Sequence, residues 1–178
     1  MSKNLKIVIV DSKYCDYLRT FDSRVPYNKE KKDFRPFVGV LFTINGVEFF
    51  APLSSPKEKH LKMKNTIDFT KIANGELGAI NFNNMIPVGE KNYQVIDMHR
   101  YDPKIFHDKK YYEMQKKELL WINHHKYMLV SKAIRIYNYY INDCLPINIK
   151  ERCCNYKLLE EKCLEYNEKI TNNTFSYN

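Results

Sequence analysis

The 178-residue sequence lacks any apolar run of the roughly 18–20 residues that a bilayer-spanning helix needs. The segment from Met1 to Val10 is apolar only briefly before Asp11, which favours a first strand over a signal peptide. Five cysteines are present, two of them adjacent, but no C-x-x-C pair occurs, so neither a zinc site nor a disulfide framework is favoured. We therefore expect a reduced, cytoplasmic protein with no membrane partner.

Several familiar catalytic signatures are also missing. The sequence contains no G-x-S-x-G, no H-E-x-x-H, no Walker loop and no G-x-G-x-x-G after a strand. The carboxylates do not cluster as they do in two-metal nucleases, and the adjacent His124 and His125 point about 100° apart if they lie on a helix. The sequence predicts no cofactor and no metal.

Positive charge and aromatic residues are abundant instead. The 29 Lys and Arg residues exceed the 21 Asp and Glu residues, and aromatic residues make up 14% of the chain. Residues 1–64 carry 13 basic and 7 acidic side chains, and the run from Lys57 to Lys64 holds four lysines in eight residues. A basic, aromatic-rich surface suits a polyanion with bases, although a lysine run is also typical of a solvated helix face.

The hydrophobic pattern changes from strands to helices along the chain. A β-branched run over Leu5–Val10 is followed by a helical spacing over Ser12–Phe21, and Asn45-Gly46 joins two strand runs as a hairpin turn. Three more short strands are predicted over Ile67–Ile72, Leu77–Phe82 and Tyr93–Ile96. After residue 107 the pattern predicts three helices: Asp108–His125, a second over residues 130–141, and a last one with Asn155 near its start. We predict one compact α+β domain over residues 1–170 and a short tail over 171–178.

The segment from Pro52 to Lys57 has the most unusual chemistry. Two prolines bracket Leu53, Ser54 and Ser55 and stiffen the backbone. Two hydroxyls followed by an ammonium group are suited to holding a phosphate. The structural alternative is a serine N-cap with proline in the first helical turn, which needs no ligand.

This segment resembles the ToxN/AbiQ family of endoribonuclease toxins. The similarity covers Phe49–His60, preceded by Arg35–Val40, and it continues in the Tyr14–Pro26, Leu77–Pro87, Lys117–Ile122 and Cys154–Lys162 stretches. The resemblance implies a strongly twisted antiparallel sheet packed by several helices, similar to the core of MazF/Kid toxins. It also implies a metal-independent endoribonuclease of a type III toxin–antitoxin system, which acts in phage defence through abortive infection.

The resemblance further assigns site residues. It implies catalytic roles for Ser55 and Lys57, with Ser54 and Arg35 as phosphate clamps and Tyr27 as a groove residue. The mechanism that it implies is attack of the RNA 2′-OH on the adjacent phosphate, which gives a 2′,3′-cyclic phosphate and a 5′-OH. Residues expected to contact RNA are Lys29, Lys31, Lys32, Lys59, His60, Lys62, Lys64, Asn83, Asn84 and Tyr14.

The same resemblance implies the partners. They are target RNAs and an inhibitory RNA antitoxin made of tandem repeats that fold as pseudoknots, are cut by the toxin and join it in ring-like assemblies. Two other functions compete: a non-catalytic RNA-binding protein with the same basic groove, and an inhibitor that binds another protein through its tyrosine-rich helices. The Pro52–Lys57 segment favours the nuclease, because binding alone does not require it.

Overall fold

The computed structural model describes residues 4–27 and 35–175, with side chains as far as Lys169. Seven strands form one antiparallel sheet. They are β1 (Lys6–Val10), β2 (Pro36–Ile44), β3 (Val47–Ser54), β4 (Phe69–Ile72), β5 (Gly78–Asn81), β6 (Ile86–Val88) and β7 (Tyr93–Val95).

The long strand β3 organises the sheet. The order is β4-β5-β3-β2-β1-β7, and β6 also pairs with β3. Both β5 and β6 lie along one edge of β3, where β6 pairs with residues 48–50 and β5 with Leu53 and Ser54. Asn45 and Gly46 join β2 to β3 with φ values of 49° and 80°, the left-handed conformation that an Asn-Gly hairpin turn requires.

Six helices accompany the sheet. They are α1 (Ser12–Arg19), α2 (Glu58–Lys62), α3 (Lys109–His124), α4 (Lys126–Ile141), α5 (Ile147–Lys150) and α6 (Tyr156–Phe175). Asp11 caps α1 by accepting a hydrogen bond from the Tyr14 amide, and Asp108 caps α3 in the same way from Tyr111. Within the described segments, no helix is long and apolar enough to span a membrane.

Helices α4 and α6 cover the sheet with a cluster of aromatic rings. Phe49 of β3 lies 5.4 Å from the Tyr137 ring and 6.1 Å from the Tyr156 ring, and all three side chains are buried. The Tyr137 hydroxyl donates to the buried carboxylate of Glu160, which also accepts from Asn45. Helix α6 is thereby bound to the β2–β3 turn as well as to the core.

The segment before α6 forms hydrogen bonds and an ion pair with residues in the first half of the chain. The Asn155 amide donates to the buried Asp22 carboxylate at 2.7 Å, and the Cys154 amide donates to the Asn83 carbonyl at 2.8 Å. Arg152 forms a two-point ion pair with buried Asp68, with Nε at 2.6 Å and Nη2 at 3.0 Å. These contacts join residues more than 65 positions apart in the sequence.

Most of the predicted architecture is confirmed, with differences at β6, at the end of α6 and at the short helix α5 (Ile147–Lys150), which was not predicted. The α+β class and the antiparallel sheet are as expected, whereas the likeness to MazF/Kid toxins stays a prediction. Strand β6 was not predicted, because a three-residue run with Pro87 in its centre gives no local strand signal. Helix α6 continues to Phe175, past residue 170, where the sequence suggested that a tail begins.

Candidate active site

The predicted phosphate-binding segment lies where β3 leaves the sheet. Ser54 is the last residue of β3 and pairs with Ala79 of β5, while Ser55, Pro56 and Lys57 are exposed. Lys57 has extended φ and ψ angles and precedes α2, and its carbonyl accepts from the His60 amide at 2.8 Å. The helix therefore begins after Lys57, so neither serine is its N-cap.

The strand register brings Arg35 to the same end of the sheet. Phe37 pairs with Pro52 and Ile9 pairs with Pro36, and Arg35 immediately precedes β2. Directly opposed residues of antiparallel strands project from the same face. Continuing the β2–β3 register by two residues past Phe37 would therefore set Arg35 opposite Ser54 on one face, and the role of both as phosphate clamps stays a prediction.

Asn81 is a site residue that the sequence interpretation missed. Its Nδ2 donates a hydrogen bond to Ser54 Oγ at 2.7 Å. The hydroxyl oxygen thus accepts a hydrogen bond at one lone pair, and its own hydrogen is directed away from Asn81. Asn81 lies within the Leu77–Pro87 stretch that carries part of the family resemblance, so its position was a usable signal, but the contact depends on the pairing of β5 with β3.

Gly78 shapes the backbone beneath the two serines. It has φ +112°, and a Cβ atom there would lie 2.1 Å from the Ser54 carbonyl oxygen and 3.4 Å from the Ser55 carbonyl carbon. A side chain at this position therefore requires the Ser54–Ser55 peptide to move. The close approach of β5 to the candidate loop depends on glycine.

Two residues predicted to contact RNA belong to the core instead. Tyr14 is fully buried: its hydroxyl donates to the Pro87 carbonyl at 2.6 Å, and its ring packs edge-on against Tyr166 at 5.1 Å. His60 is only 2% exposed, and its ring packs 5.8 Å from Phe69. Burial, together with the nearby Lys57 and Lys59 charges, lowers the pKa of His60. Both RNA contacts are therefore corrected, because neither side chain reaches the surface.

Asn83 and Asn84 also have structural partners. The Asn83 side-chain amide donates to the Arg152 carbonyl at 3.3 Å, and that of Asn84 donates to the Arg24 carbonyl at 2.9 Å. Both residues lie in a short 3₁₀ turn, Phe82–Asn84, and both are half-buried. Each amide thus has one structural partner through Nδ2, and the predicted reading of RNA base edges by Asn83 and Asn84 stays a prediction.

The other predicted RNA-contacting and groove residues lie partly inside and partly outside the described residues. Lys59, Lys62 and Lys64 are exposed on and after α2, so they extend the positive surface away from Lys57. Tyr27 is 49% exposed, and the Arg19 guanidinium lies 5.0 Å from its ring centre. Lys29, Lys31 and Lys32 lie outside the described residues.

Comparison with known proteins identifies the family. The model of the family described as "Toxin ToxN, type III toxin-antitoxin system" matches residues 6–164. The chain belongs to the ToxN toxin family. The predicted family and enzyme class, an endoribonuclease toxin, are therefore confirmed, which removes the support for the two non-enzymatic alternatives.

Relatives of this toxin chain cover nearly its whole length. It is 34% identical to the endoribonuclease ToxN of Bacillus thuringiensis subsp. kurstaki over 170 residues, which cover 93% of this chain and 86% of the relative. It is 28% identical to the endoribonuclease AbiQ of Lactococcus lactis subsp. lactis, covering 94% of this chain and 92% of AbiQ.

Two solved structures share the fold. One, from work on selective inhibition of a type III toxin by a non-coding RNA pseudoknot, has a TM-score of 0.79 at 33% identity and covers 93% of this chain and 99% of its own. The structure of AbiQ, a lactococcal anti-phage endoribonuclease, also has a TM-score of 0.79, at 26% identity with the same coverage. These relatives are toxins that act on RNA.

Proposed function

We propose that this chain is a metal-independent endoribonuclease that uses the RNA's own 2′-OH as the nucleophile. Attack on the adjacent phosphate forms the new 2′-O–P bond as the 2′-OH proton passes to a base. It breaks the bond to the 5′-oxygen, which takes up a proton, and leaves a 2′,3′-cyclic phosphate and a 5′-OH. The observation that carries this proposal is the Ser54–Lys57 arrangement, where a hydroxyl oriented by Asn81 adjoins an exposed hydroxyl and an exposed ammonium group. These are hydrogen-bond donors and cations, whereas catalytic magnesium is held mainly by carboxylates.

Each group has a role that its position supports. Ser55 contacts the phosphate or the 2′-OH, and Lys57 either stabilises the charge that develops on the phosphorane oxygens or transfers a proton to the leaving oxygen. Ser54 and Arg35 hold a non-bridging oxygen from the end of the sheet. Tyr27 lines the groove, with its ring held against Arg19.

The biological setting that we propose follows the relatives. The toxin is inhibited by an RNA antitoxin of tandem pseudoknot repeats, which it processes, and it attacks target RNAs during phage infection in the cytoplasm. A related toxin is inhibited by a non-coding RNA pseudoknot, and AbiQ is an anti-phage endoribonuclease. Ring-like assembly of toxin and antitoxin is part of the same proposal.

The test is cleavage of a mixed-sequence RNA in excess EDTA by protein washed free of bound RNA at high salt. Wild type is compared with Lys57→Ala, Ser55→Ala and, as a matched charge control, Lys110→Ala, which removes an exposed lysine at the start of α3. We expect wild type and the control to release cyclic-phosphate ends. Lys57→Ala should lose about 10²–10⁴ in rate, as is typical for a positioned acid–base or charge-stabilising group.

Two results would contradict the proposal in different ways. Cleavage abolished by EDTA and restored by magnesium would replace the mechanism but keep the nuclease. Full activity in both loop variants would move the site away from the Ser54–Lys57 segment.

A further inference from the structure

A basic cleft lies on the α4 side of strand β4. Its volume is about 620 Å³, and it opens between helix α4 and the segment that follows α2. The polar residues lining it are Asn65, Thr66, Ser131, Lys132, Arg135 and Tyr139. Among the residues assigned to the cleft, none carries a carboxylate.

Lys132 and Arg135 bring positive charge to this cleft, and the adjacent carboxylate of Asp68, which accepts from the cleft residue Thr66, is paired with Arg152. Lys132 is only 8% exposed, and its ammonium group donates to the Phe69 carbonyl at 2.9 Å and to Thr70 Oγ1 at 2.5 Å. Burial lowers the pKa of Lys132 to about 8, and the nearest acid that influences it, Asp68, is already paired with Arg152. Arg135 is exposed and forms no ion pair within the part of the chain that the structure describes.

The walls of the cleft suit a nucleotide rather than a simple anion. Tyr139 and Met128 are 43% and 44% exposed, so an aromatic face and an apolar edge are available beside Arg135. Unpaired RNA bases stack on aromatic rings and on guanidinium planes, while arginine binds the phosphate. Ser131 and Asn65 add polar groups on either side of the cleft.

The cleft is also continuous with the candidate active site along the chain. The exposed lysines of the Lys57–Lys64 run lead directly to Asn65, the first residue of the cleft. An RNA strand that contacts Lys64 therefore lies next to a residue that lines the cleft.

We propose that this cleft binds one unpaired nucleotide of the RNA chain away from the cleaved bond, with its phosphate at the exposed Arg135 and its base against Tyr139. The proposal rests on the proposed function and adds a binding subsite outside the reacting groups. It predicts that the cleft affects long substrates and leaves short ones unchanged.

The experiment compares two RNAs that share one cleavage site, first mapped with the wild type. One is an unstructured RNA of about 12 nucleotides, a length within the usual range of single-strand sites, and the other has only the nucleotides next to the cleaved bond. The variants are Arg135→Ala and Tyr139→Ala. Their matched controls are Lys110→Ala and Tyr127→Ala, the latter an exposed tyrosine of α4 outside the cleft.

We expect both cleft variants to lower kcat/KM for the longer RNA about tenfold or more through KM, with no change for the short RNA. Arg135→Ala should also reduce the salt dependence of binding by about one phosphate contact.

Two results would overturn the subsite. The first is cleft variants that match their controls on both RNAs; weaker toxicity of such variants in cells would then indicate a protein partner. The second is an equal loss on the short RNA, which would indicate damage to the fold or to the active site. If wild type cleaved no RNA at all, the proposed function would fail together with the subsite, and this outcome is distinct from the others.

Discussion

Replacing Asn81 with aspartate tests whether the site depends on the direction of one hydroxyl. In the wild type, Asn81 Nδ2 donates to Ser54 Oγ at 2.7 Å, which leaves the Ser54 hydrogen free to point at a phosphate oxygen. A carboxylate of the same shape accepts at that distance instead, so it draws the Ser54 hydrogen toward itself. The phosphate therefore loses the hydrogen bond that the Ser54 hydroxyl would donate, although the serine itself is still present.

The size of the effect follows from the value of one positioned donor. Removing a single hydrogen-bond donor from a developing oxyanion typically costs 10²–10³ in kcat. Ser54 is half-exposed and is one of several proposed clamps, so we expect about a hundredfold loss at pH 7, or ~2.7 kcal/mol of transition-state stabilisation. Asn81→Asp should add little to Ser54→Ala, because the two changes act on the same hydrogen bond.

Acidification gives the assay a readout that a merely structural role does not predict. A protonated carboxyl donates again, so the activity of Asn81→Asp relative to wild type should recover as the pH falls from about 7 toward the carboxyl pKa near 4. Cleavage rates over this range are measured with the thermal stability of each variant as a control. Activity within threefold of wild type, or a loss that is constant with pH and additive with Ser54→Ala, would refute the argument.

Two further predictions concern stability and loop geometry. Glu118 is buried with Oε2 unpaired, and burial raises its pKa to about 8 from 4.5, so the folded protein loses stability as the pH rises between these values. Glu118→Gln should then gain about 3 kcal/mol of unfolding free energy at pH 7 and almost none near pH 4.5, and equal gains at both pH values in denaturant titrations would contradict this account. Gly78→Ala should displace the Ser54–Ser55 peptide and reduce RNA cleavage, whereas Gly46→Ala, where a Cβ meets nothing within 4 Å, should cost only about 1–2 kcal/mol of left-handed strain and keep activity. Equal activity of the two glycine variants would show that the close contact is unimportant.

Local signals were sufficient for most of the fold. The Asn45-Gly46 turn follows from the φ values that its residues tolerate, and the capping aspartates Asp11 and Asp108 mark the starts of α1 and α3. Strand β6 shows the limit of such reasoning. Its three residues become a strand only because β3 offers a partner edge, and that edge exists only in the folded sheet.

The candidate site also combines features that the sequence shows with contacts that only the folded sheet creates. The Pro52–Lys57 segment is local chemistry and was found from the sequence, whereas the Asn81 contact spans 27 positions and depends on the register of β5 against β3. Tyr14 was misassigned because it was taken as an exposed aromatic, and the sequence does not show which face of α1 the rest of the chain covers. Its burial is decided by Tyr166 of α6, at the other end of the chain.

The contacts made by residues 152–155 bear on when the fold can be completed during synthesis. Asp22, Asp68 and Asn83 lie in the front half of the chain, yet their partners are Asn155, Arg152 and Cys154. A ribosome that has released only the first half has not yet supplied these partners. These long-range contacts of the front half can therefore form only after most of the chain has been made.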